Sequence, residues 1–170
     1  AKDASFQTFL SELSNYCAEN NPEDLDDLNA KYKDELLGII QKIGENIKVS
    51  YYEKISKEGG VVASYKHSDN KLAAIVKIDS GDEEVGRDIA MQVAANNPIA
   101  IYTEDIDEYI INKEKEIALA TLANENKPEE IKEKIIMGKL NKFKMENSLV
   151  EQPFIKDPDK KIKDLWGGAK

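Results

Sequence analysis

The side chains that most often act as nucleophiles or metal ligands are scarce in this 170-residue chain, which has one histidine and one cysteine. The lone histidine, His67, excludes a metal site built on a histidine pair and a mechanism that needs two histidines. Its position predicts a polar residue at the end of a hairpin strand, with a functional role as the alternative. Cys17 falls on the apolar face of a predicted helix, which favours a small buried side chain over a nucleophile.

Carboxylates are abundant, and 33 Asp and Glu against 24 Lys and Arg give a net charge of −9. The run that contains Asp79, Asp82 and Glu83 lacks the alternating ligands and the fixed glycine of a calcium loop. We predict instead that it caps the following helix at its positive end. The sequence has no phosphate-binding glycine loop followed by Lys and Ser or Thr. We therefore expect no metal and no cofactor, and we favour an interaction role over an enzyme.

The charge balance also restricts the partners of the chain. Its only arginine is Arg87, and arginine supplies the bidentate contacts that bind phosphate backbones. No run approaches the ~20 apolar residues that cross a bilayer. A single cysteine fits a reducing compartment. We expect a protein partner with basic patches, and no direct binding to nucleic acid or to a membrane.

Two helical regions are predicted near the start of the chain. Apolar residues at spacings of three and four predict a helix over 4–20. Pro22 ends it, because proline disfavours helical geometry in the residue before it. An acidic helix is predicted to begin near residue 23 and to run on to Gly44, a glycine suited to a helix C-terminus.

The periodicity then changes to that of strands. Alternation of apolar and polar residues predicts a half-buried strand at 46–52. Two further apolar runs, 61–67 and 71–78, are separated by polar turn residues and predict an antiparallel hairpin. A helix with an apolar stripe follows at 82–96.

The last third is rich in Lys, Glu, Ala, Ile and Leu over 106–147, with one interruption at 124–128. Two amphipathic helices joined by so short a loop are predicted to pack antiparallel as a helical-hairpin arm, followed by a short helix to about Trp166. The apolar residues predicted to pack this arm, or to form a dimer through it, are Ile106, Tyr109, Ile110, Ile117, Ile131, Ile135, Leu140 and Phe143. The elements together predict an α+β fold of small antiparallel sheets packed with helices, plus the arm.

Several segments resemble blocks of the bacterial elongation factor Ts family, and they occur in that family's order. They cover nearly the whole chain: Ala1–Gln7, Ile43–Ile47, Asp88–Ala95 with Pro98, Lys127–Ile131, Gly138–Phe143 and Glu151–Phe154. The resemblance implies a first core subdomain at 1–57 (partial), a second at 58–102, a coiled-coil dimerisation arm at 103–155 and a return to the second subdomain at 156–170.

The function that the resemblance implies is guanine nucleotide exchange on elongation factor Tu. Such a factor binds the GDP-loaded GTPase, distorts its Mg²⁺ and phosphate site, and holds the nucleotide-free form more tightly than the GDP form. No covalent step is needed. The alternative is a non-catalytic adaptor or assembly module that acts through the arm. The resemblance places the protein in the bacterial cytoplasm or in an organelle with bacterial-type translation.

The resemblance also implies contact residues. Ile43 and His67 match family positions that lie against the GTPase. The resemblance therefore favours a partner contact for His67 over a polar residue at the end of a strand. Their neighbours Gly44, Glu45, Asn46 and Tyr65 are further candidates. A homodimer through the arm or through sheet edges is a second expected assembly.

The sequence departs from the family pattern at both ends. It begins directly after the position of the family's Thr-Asp-Phe-Val segment, which pushes into the GTPase near its magnesium site, and it stops at Lys170, where the family continues. We expect a fragment. A strand at Ile47–Ile55 would then lack hairpin partners, and its unpaired edge predicts self-association or pairing with a companion fragment.

Overall fold

The computed structural model describes residues 3–22, 24–69, 71–123 and 125–165. The chain forms two compact units: the first contains the residues up to Glu58 and the turn His67–Leu72, and the second contains Gly59–Lys66 and the chain from Ala73 onward. Helices and two-stranded antiparallel sheets occur together, which confirms the α+β class. The subdomain boundaries and the coiled coil expected from the resemblance stay predictions.

Three helices build the first unit: α1 Ala4–Asn20, α2 Leu25–Lys31 and α3 Lys33–Ile43. The predicted helix over 4–20 is confirmed. Its N-terminus is capped by the Asp3 carboxylate, which accepts the N–H groups of Ser5 and Phe6 at 2.9 and 3.2 Å. The single acidic helix predicted from residue 23 is instead two helices, because the chain turns at Tyr32.

The core of the first unit is apolar and partly aromatic. The Tyr32 ring stands edge-on to the rings of Phe9 and Tyr16, with centroids 5.8 and 5.5 Å apart, and the Lys31 ammonium lies 4.5 Å from the Tyr16 ring centroid. Cys17 is buried as predicted, and burial raises the pKa of its thiol. The buried residues of this core are Phe9, Leu13, Cys17, Leu28, Leu36 and Ile39.

The strand predicted at 46–52 is wrong. The segment forms no strand. The backbone of Val49 hydrogen-bonds to a side chain instead of to a neighbouring strand. The Val49 N–H donates to Asn29 Oδ1 at 3.3 Å, and the Val49 carbonyl accepts from Asn29 Nδ2 at 3.0 Å. Ile47 and Val49 still pack on the core, whereas Tyr51 is exposed. The alternation of apolar and polar residues therefore indicates a half-buried segment, but it does not show that a neighbouring strand is present.

The second unit contains the predicted hairpin. Strand β1 Val61–Lys66 pairs antiparallel with β2 Ala73–Ile78, with Val61 opposite Ile78. Helix α4 Glu83–Asn96 packs on this sheet. The capping role predicted for the acidic run is confirmed for Asp82, whose carboxylate accepts the Val85 N–H at 2.9 Å.

Helix α4 lies close to β1 at Gly86. A Cβ on Gly86 would stand 2.8 Å from the Ala63 Cβ, closer than real Cβ atoms approach. The missing side chain therefore permits the contact between helix and sheet. The buried residues of this core come from the sheet, from α4 and from the end of the chain: Ile78, Ile89, Leu149, Phe154 and Ile162.

A second small sheet follows the arm and was not predicted. Strand β3 Pro153–Phe154 pairs antiparallel with β4 Asp157–Lys161, and α7 Ile162–Leu165 follows. The predicted final short helix is therefore limited to α7 within the described residues, and Trp166 lies outside them. Two 3₁₀ turns, Thr103–Asp105 and Leu149–Glu151, flank the arm.

Two buried glutamines connect α4 to this final segment. Gln92 Nε2 donates to Gln152 Oε1 at 3.1 Å and to the Pro153 carbonyl at 3.2 Å, and Gln92 Oε1 accepts the Ile155 N–H at 3.0 Å. Gln152 Nε2 donates to the Glu146 carbonyl at 2.9 Å. Both side chains are almost fully buried, so these bonds satisfy polar groups that water does not reach.

The arm consists of α5 Glu108–Leu122 and α6 Glu129–Asn147. The two helices pack on each other through Ala118, Leu122 and Ile136, with Ile135 and Leu140 against this cluster. Residues 118 and 122, like 136 and 140, are four apart and share a helix face, because a turn takes about 3.6 residues.

The residues predicted to pack the arm or to form a dimer through it differ in exposure. Tyr109, Ile117 and Ile131 are 67%, 59% and 47% exposed and do not pack between the helices. Ile117 precedes Ala118 and therefore projects about 100° away from the contact face. Ile106 is buried, and the remaining members of the set are half-buried: Ile110, Ile135, Leu140 and Phe143. A role of any of them in dimerisation stays a prediction.

Candidate protein-binding surface

The first predicted contact segment lies where α3 ends. Gly44 caps the helix with φ 77°, a left-handed conformation that glycine adopts without strain, and its N–H donates to the Ile40 carbonyl at 2.8 Å. A Cβ on Gly44 would meet no atom within 4 Å. The backbone conformation and not close packing therefore accounts for the glycine, and its predicted role as the helix terminator is confirmed.

The residues around this cap differ in burial. Ile43 is half-buried and packs against the core of the first unit, whereas Glu45 and Asn46 are exposed. The apolar side chain holds the turn in place, and the two polar side chains are free of the core. A turn fixed in this way can meet a protein partner with little loss of conformational entropy.

The second predicted contact, His67, begins the turn that joins β1 to β2 in the chain. Its N–H donates to the Leu72 carbonyl at 2.9 Å, and its Nδ1 lies 3.0 Å from Asp69 Oδ1. The same carboxylate oxygen accepts the Lys71 N–H at 2.9 Å. The side chain of His67 is 47% exposed. The turn therefore holds the imidazole at Nδ1 and leaves Nε2 available to a partner.

Hydrogen bonding favours the ionised form of the Asp69 carboxyl. The Lys71 N–H, followed by the bond with His67, holds the pKa of the Asp69 carboxyl below its ordinary value. The carboxylate is therefore ionised at neutral pH, where it accepts hydrogen bonds and donates none.

Tyr65 lies on β1 opposite Ala74 and is half-buried. It belongs to the second unit. The other five predicted contact residues belong to the first: Ile43, Gly44, Glu45, Asn46 and His67. That these six residues contact a partner stays a prediction.

Two other kinds of site are absent from the described part of the chain. Within residues 3–22, 24–69, 71–123 and 125–165, no three or more His, Cys, Asp or Glu side chains are grouped so that they could hold a metal ion. In the same ranges no helix has the length and apolar character needed to cross a membrane. The expectation that the protein binds no metal and no cofactor stays a prediction.

Sequence reasoning missed Asp69 and the buried glutamine pair. An Asp in a short turn commonly accepts the N–H two residues later, so the spacing of Asp69 and Lys71 carried a readable signal. Gln92 lies three residues after Ile89 in the apolar stripe of α4. A polar residue at such a position indicates a buried hydrogen-bond network, although its partners come from residues about 60 positions away.

Comparison with known proteins matches the whole chain to one family. The family described as "Elongation factor TS" matches residues 1–170. Proteins named Elongation factor Ts from Marinobacter nauticus and Teredinibacter turnerae are 45% and 40% identical to this chain. These alignments cover 99% and 94% of this chain, and 58% and 55% of the two relatives. The relative of the same name from Saccharophagus degradans is 41% identical over 94% of this chain and 55% of its own length. The chain thus spans a little over half the length of the curated relatives it matches.

Proposed function

Because this chain belongs to the elongation factor Ts family, we propose that it promotes guanine nucleotide exchange on elongation factor Tu. The observation that carries the proposal is the family match across residues 1–170. Exchange requires no bond-making by the factor, so the chain is not expected to be an enzyme with covalent chemistry of its own. We place this activity in the bacterial cytoplasm, with an organelle that retains bacterial-type translation as the alternative.

The proposed mechanism is differential binding. GDP leaves faster when the factor favours a conformation of the GTPase whose Mg²⁺ and phosphate site is distorted. A ligand shifts such an equilibrium only by the difference between its affinities for the two states. The chain must therefore bind nucleotide-free elongation factor Tu more tightly than the GDP-bound form, and by linkage it weakens GDP binding by the same factor.

The contact surface that we propose contains two turns of the first unit. One is the cap of α3, where Gly44 ends the helix and Glu45 and Asn46 are exposed. The other begins at His67, which is tied to Asp69. Tyr65 is a further proposed contact. The excess of acidic residues over the whole chain supports association with basic patches on the GTPase, and added salt would weaken that contribution.

The test measures release of fluorescent GDP from elongation factor Tu with and without the 170-residue chain. The wild-type chain is expected to accelerate release, but much less than a full-length elongation factor Ts that carries the Thr-Asp-Phe-Val segment, and H67A is expected to accelerate it less still. N15A serves as the matched control, because Asn15 is an exposed residue of α1 in the same unit. EDTA, which removes Mg²⁺, provides the positive control for release.

A binding titration gives the second readout. Nucleotide-free and GDP-bound elongation factor Tu are titrated separately with the chain. A lower dissociation constant for the nucleotide-free form is expected. Equal dissociation constants, with no acceleration of GDP release, would show that the proposed exchange function is wrong.

Assembly through the arm is a second candidate function, and the exposed apolar side chains of the arm favour it. Ile117, Ile131 and Met137 are each about half or more exposed. Burial of such side chains in a second copy would remove apolar surface from water. We propose a homodimer through the arm, with pairing of sheet edges as the alternative contact. Residues 47–55 form no strand, so an unpaired edge of that strand no longer supports self-association.

Analytical ultracentrifugation separates the two functions. I117E is expected to shift a dimer toward monomer, whereas N112E, a charge at an exposed position of the same helix, leaves the distribution unchanged. If both variants sediment as the wild type does, assembly through this face of α5 is wrong. Exchange activity that persists in a monomeric I117E would show that assembly and exchange are separate properties.

A further inference from the structure

The side chain of Asp69 is held from two sides at the start of the β1–β2 turn. Its Oδ1 accepts the backbone N–H of Lys71 at 2.9 Å and lies 3.0 Å from Nδ1 of His67. The turn itself is closed by the bond from the His67 N–H to the Leu72 carbonyl at 2.9 Å. The carboxylate is therefore positioned by the backbone, and the imidazole is positioned by the carboxylate.

This arrangement selects one form of the neutral imidazole. An ionised carboxylate only accepts hydrogen bonds, so the atom that faces it, Nδ1, must carry the proton. A neutral imidazole has one N–H, and the nitrogen that carries it is chosen by the hydrogen bond that nitrogen makes. Nε2 is then a bare acceptor. In a histidine without such a neighbour, either nitrogen can carry the proton.

We propose that Asp69 is a positioning residue that keeps His67 in the Nδ1–H form, so that Nε2 accepts a hydrogen bond from a donor on the protein partner. The donor is a backbone N–H, a hydroxyl or a cationic side chain. The identity of the partner rests on the proposed function, because His67 is taken to contact elongation factor Tu. The form of the imidazole does not depend on that function.

The first test is spectroscopic and requires no partner. His67 is the only histidine of the 170-residue chain, so ¹⁵N imidazole signals belong to it without further assignment. At a pH where titration shows the imidazole to be neutral, Nδ1 is expected to resonate as the protonated nitrogen and Nε2 as the unprotonated one. A wild-type spectrum dominated by the Nε2–H form would overturn the proposal without the use of any variant.

The D69A variant tests the cause. It removes the oxygen that faces both the Lys71 N–H and Nδ1 of His67, so that either imidazole nitrogen can carry the proton. D69A is expected to raise the population of the Nε2–H form, whereas D105A, at an exposed position of a 3₁₀ turn, leaves the wild-type spectrum unchanged. Unchanged populations in D69A would show that Asp69 does not control the imidazole.

The second test measures binding to nucleotide-free elongation factor Tu. Glutamine can place an acceptor near the position of Nε2, whereas asparagine reaches only the position of Nδ1. H67N and D69A are expected to weaken binding about threefold to tenfold, the usual effect of one hydrogen bond, and H67Q to weaken it less than H67N. Tighter binding by H67N than by H67Q would refute an acceptor at Nε2. If the wild-type chain does not bind at all, the proposed function fails while the spectrum still decides the role of Asp69.

Discussion

The two units satisfy the backbone of their extended segments in different ways. In the first unit the main chain of Val49 exchanges hydrogen bonds with the side chain of Asn29. In the second unit β1 and β2 bond to each other along their length, and two buried glutamines serve the segment after the arm. Similar apolar alternation therefore gave a strand in one unit and an irregular segment in the other. The difference lies in whether a second strand is available as a partner.

The units also differ in how closely their helices are packed. Gly38 of α3 has open space where a Cβ would lie, whereas Gly86 of α4 faces the Ala63 Cβ at 2.8 Å. The second unit thus depends on close contact between α4 and β1, whereas α3 makes no such contact at Gly38. Four predictions test this comparison.

The largest effect is expected from Q92M, which keeps the length of the side chain and removes its amide. Gln152 Oε1, the Pro153 carbonyl and the Ile155 N–H would lose the bonds that the fully buried Gln92 makes, at a cost of about 3 kcal/mol in the free energy of unfolding. The measurement is urea denaturation, with residue-resolved hydrogen exchange to assign the loss to the second unit. Q41M, at an exposed position of α3, should change stability by no more than about 0.5 kcal/mol. Equal effects of the two variants would contradict a special role for buried amides.

The next effect concerns the first unit. N29A removes both bonds to Val49 and the bond from Asn29 Nδ2 to the Leu25 carbonyl, and it should cost about 2 kcal/mol. The Val49 amide should exchange with solvent faster in this variant. N15A, in the exposed part of α1, gives the control for loss of an asparagine in a helix. A Val49 amide that stays protected in N29A would show that another group satisfies it.

The same substitution should have opposite effects in the two units. G86A forces α4 away from β1, and its overpacking cost exceeds the gain in helix propensity by about 1 kcal/mol. G38A meets no atom and should stabilise by about 0.5 to 1 kcal/mol. Thermal or urea unfolding measures both. Stabilisation by G86A would mean that the sheet yields to the helix, and the contrast between the units would disappear.

The smallest effect is electrostatic and depends on pH. The ammonium groups of Lys161 and Lys163, at 2.6 and 2.8 Å, lower the pKa of Glu151. A lowered pKa in the folded state adds stability above the unfolded-state pKa, and this stability disappears as the pH falls through the folded-state value. E151Q should therefore cost at most about 1 kcal/mol at neutral pH and nothing in strong acid. The free energy of unfolding of both proteins across this range is the measurement, and a difference that persists in strong acid would contradict the assignment.

The elements that were predicted correctly have local signals. Helices α1 and α4 show apolar spacings of three and four, and a proline follows the C-terminus of each helix. The hairpin has polar residues between two apolar runs. β3 and β4 escaped notice because they are two and five residues long, and two of their residues are prolines. In the arm, the large apolar Ile117 was chosen over the small Ala118, which makes the contact. Local patterns show that a segment is amphipathic more reliably than they show which residue meets its neighbour.

The candidate surface likewise has one feature that the sequence predicted and one that it did not. The cap at Gly44 follows from a glycine at the end of an apolar periodicity, and it was predicted from the sequence. The bond between His67 and Asp69 depends on the conformation of one turn, so two polar residues two positions apart gave no sign of it. The role of His67 as a partner contact came only from the family resemblance.

The burial of Cys17 supplies a native chemical probe of the first unit. It is the only thiol of the chain, and alkylating reagents can reach it only when the core around it opens. The rate of labelling therefore measures how often that unit opens, without any engineered cysteine or dye. Labelling of the N29A and Q92M variants would then report the opening of the first unit alone, even while the second remains folded.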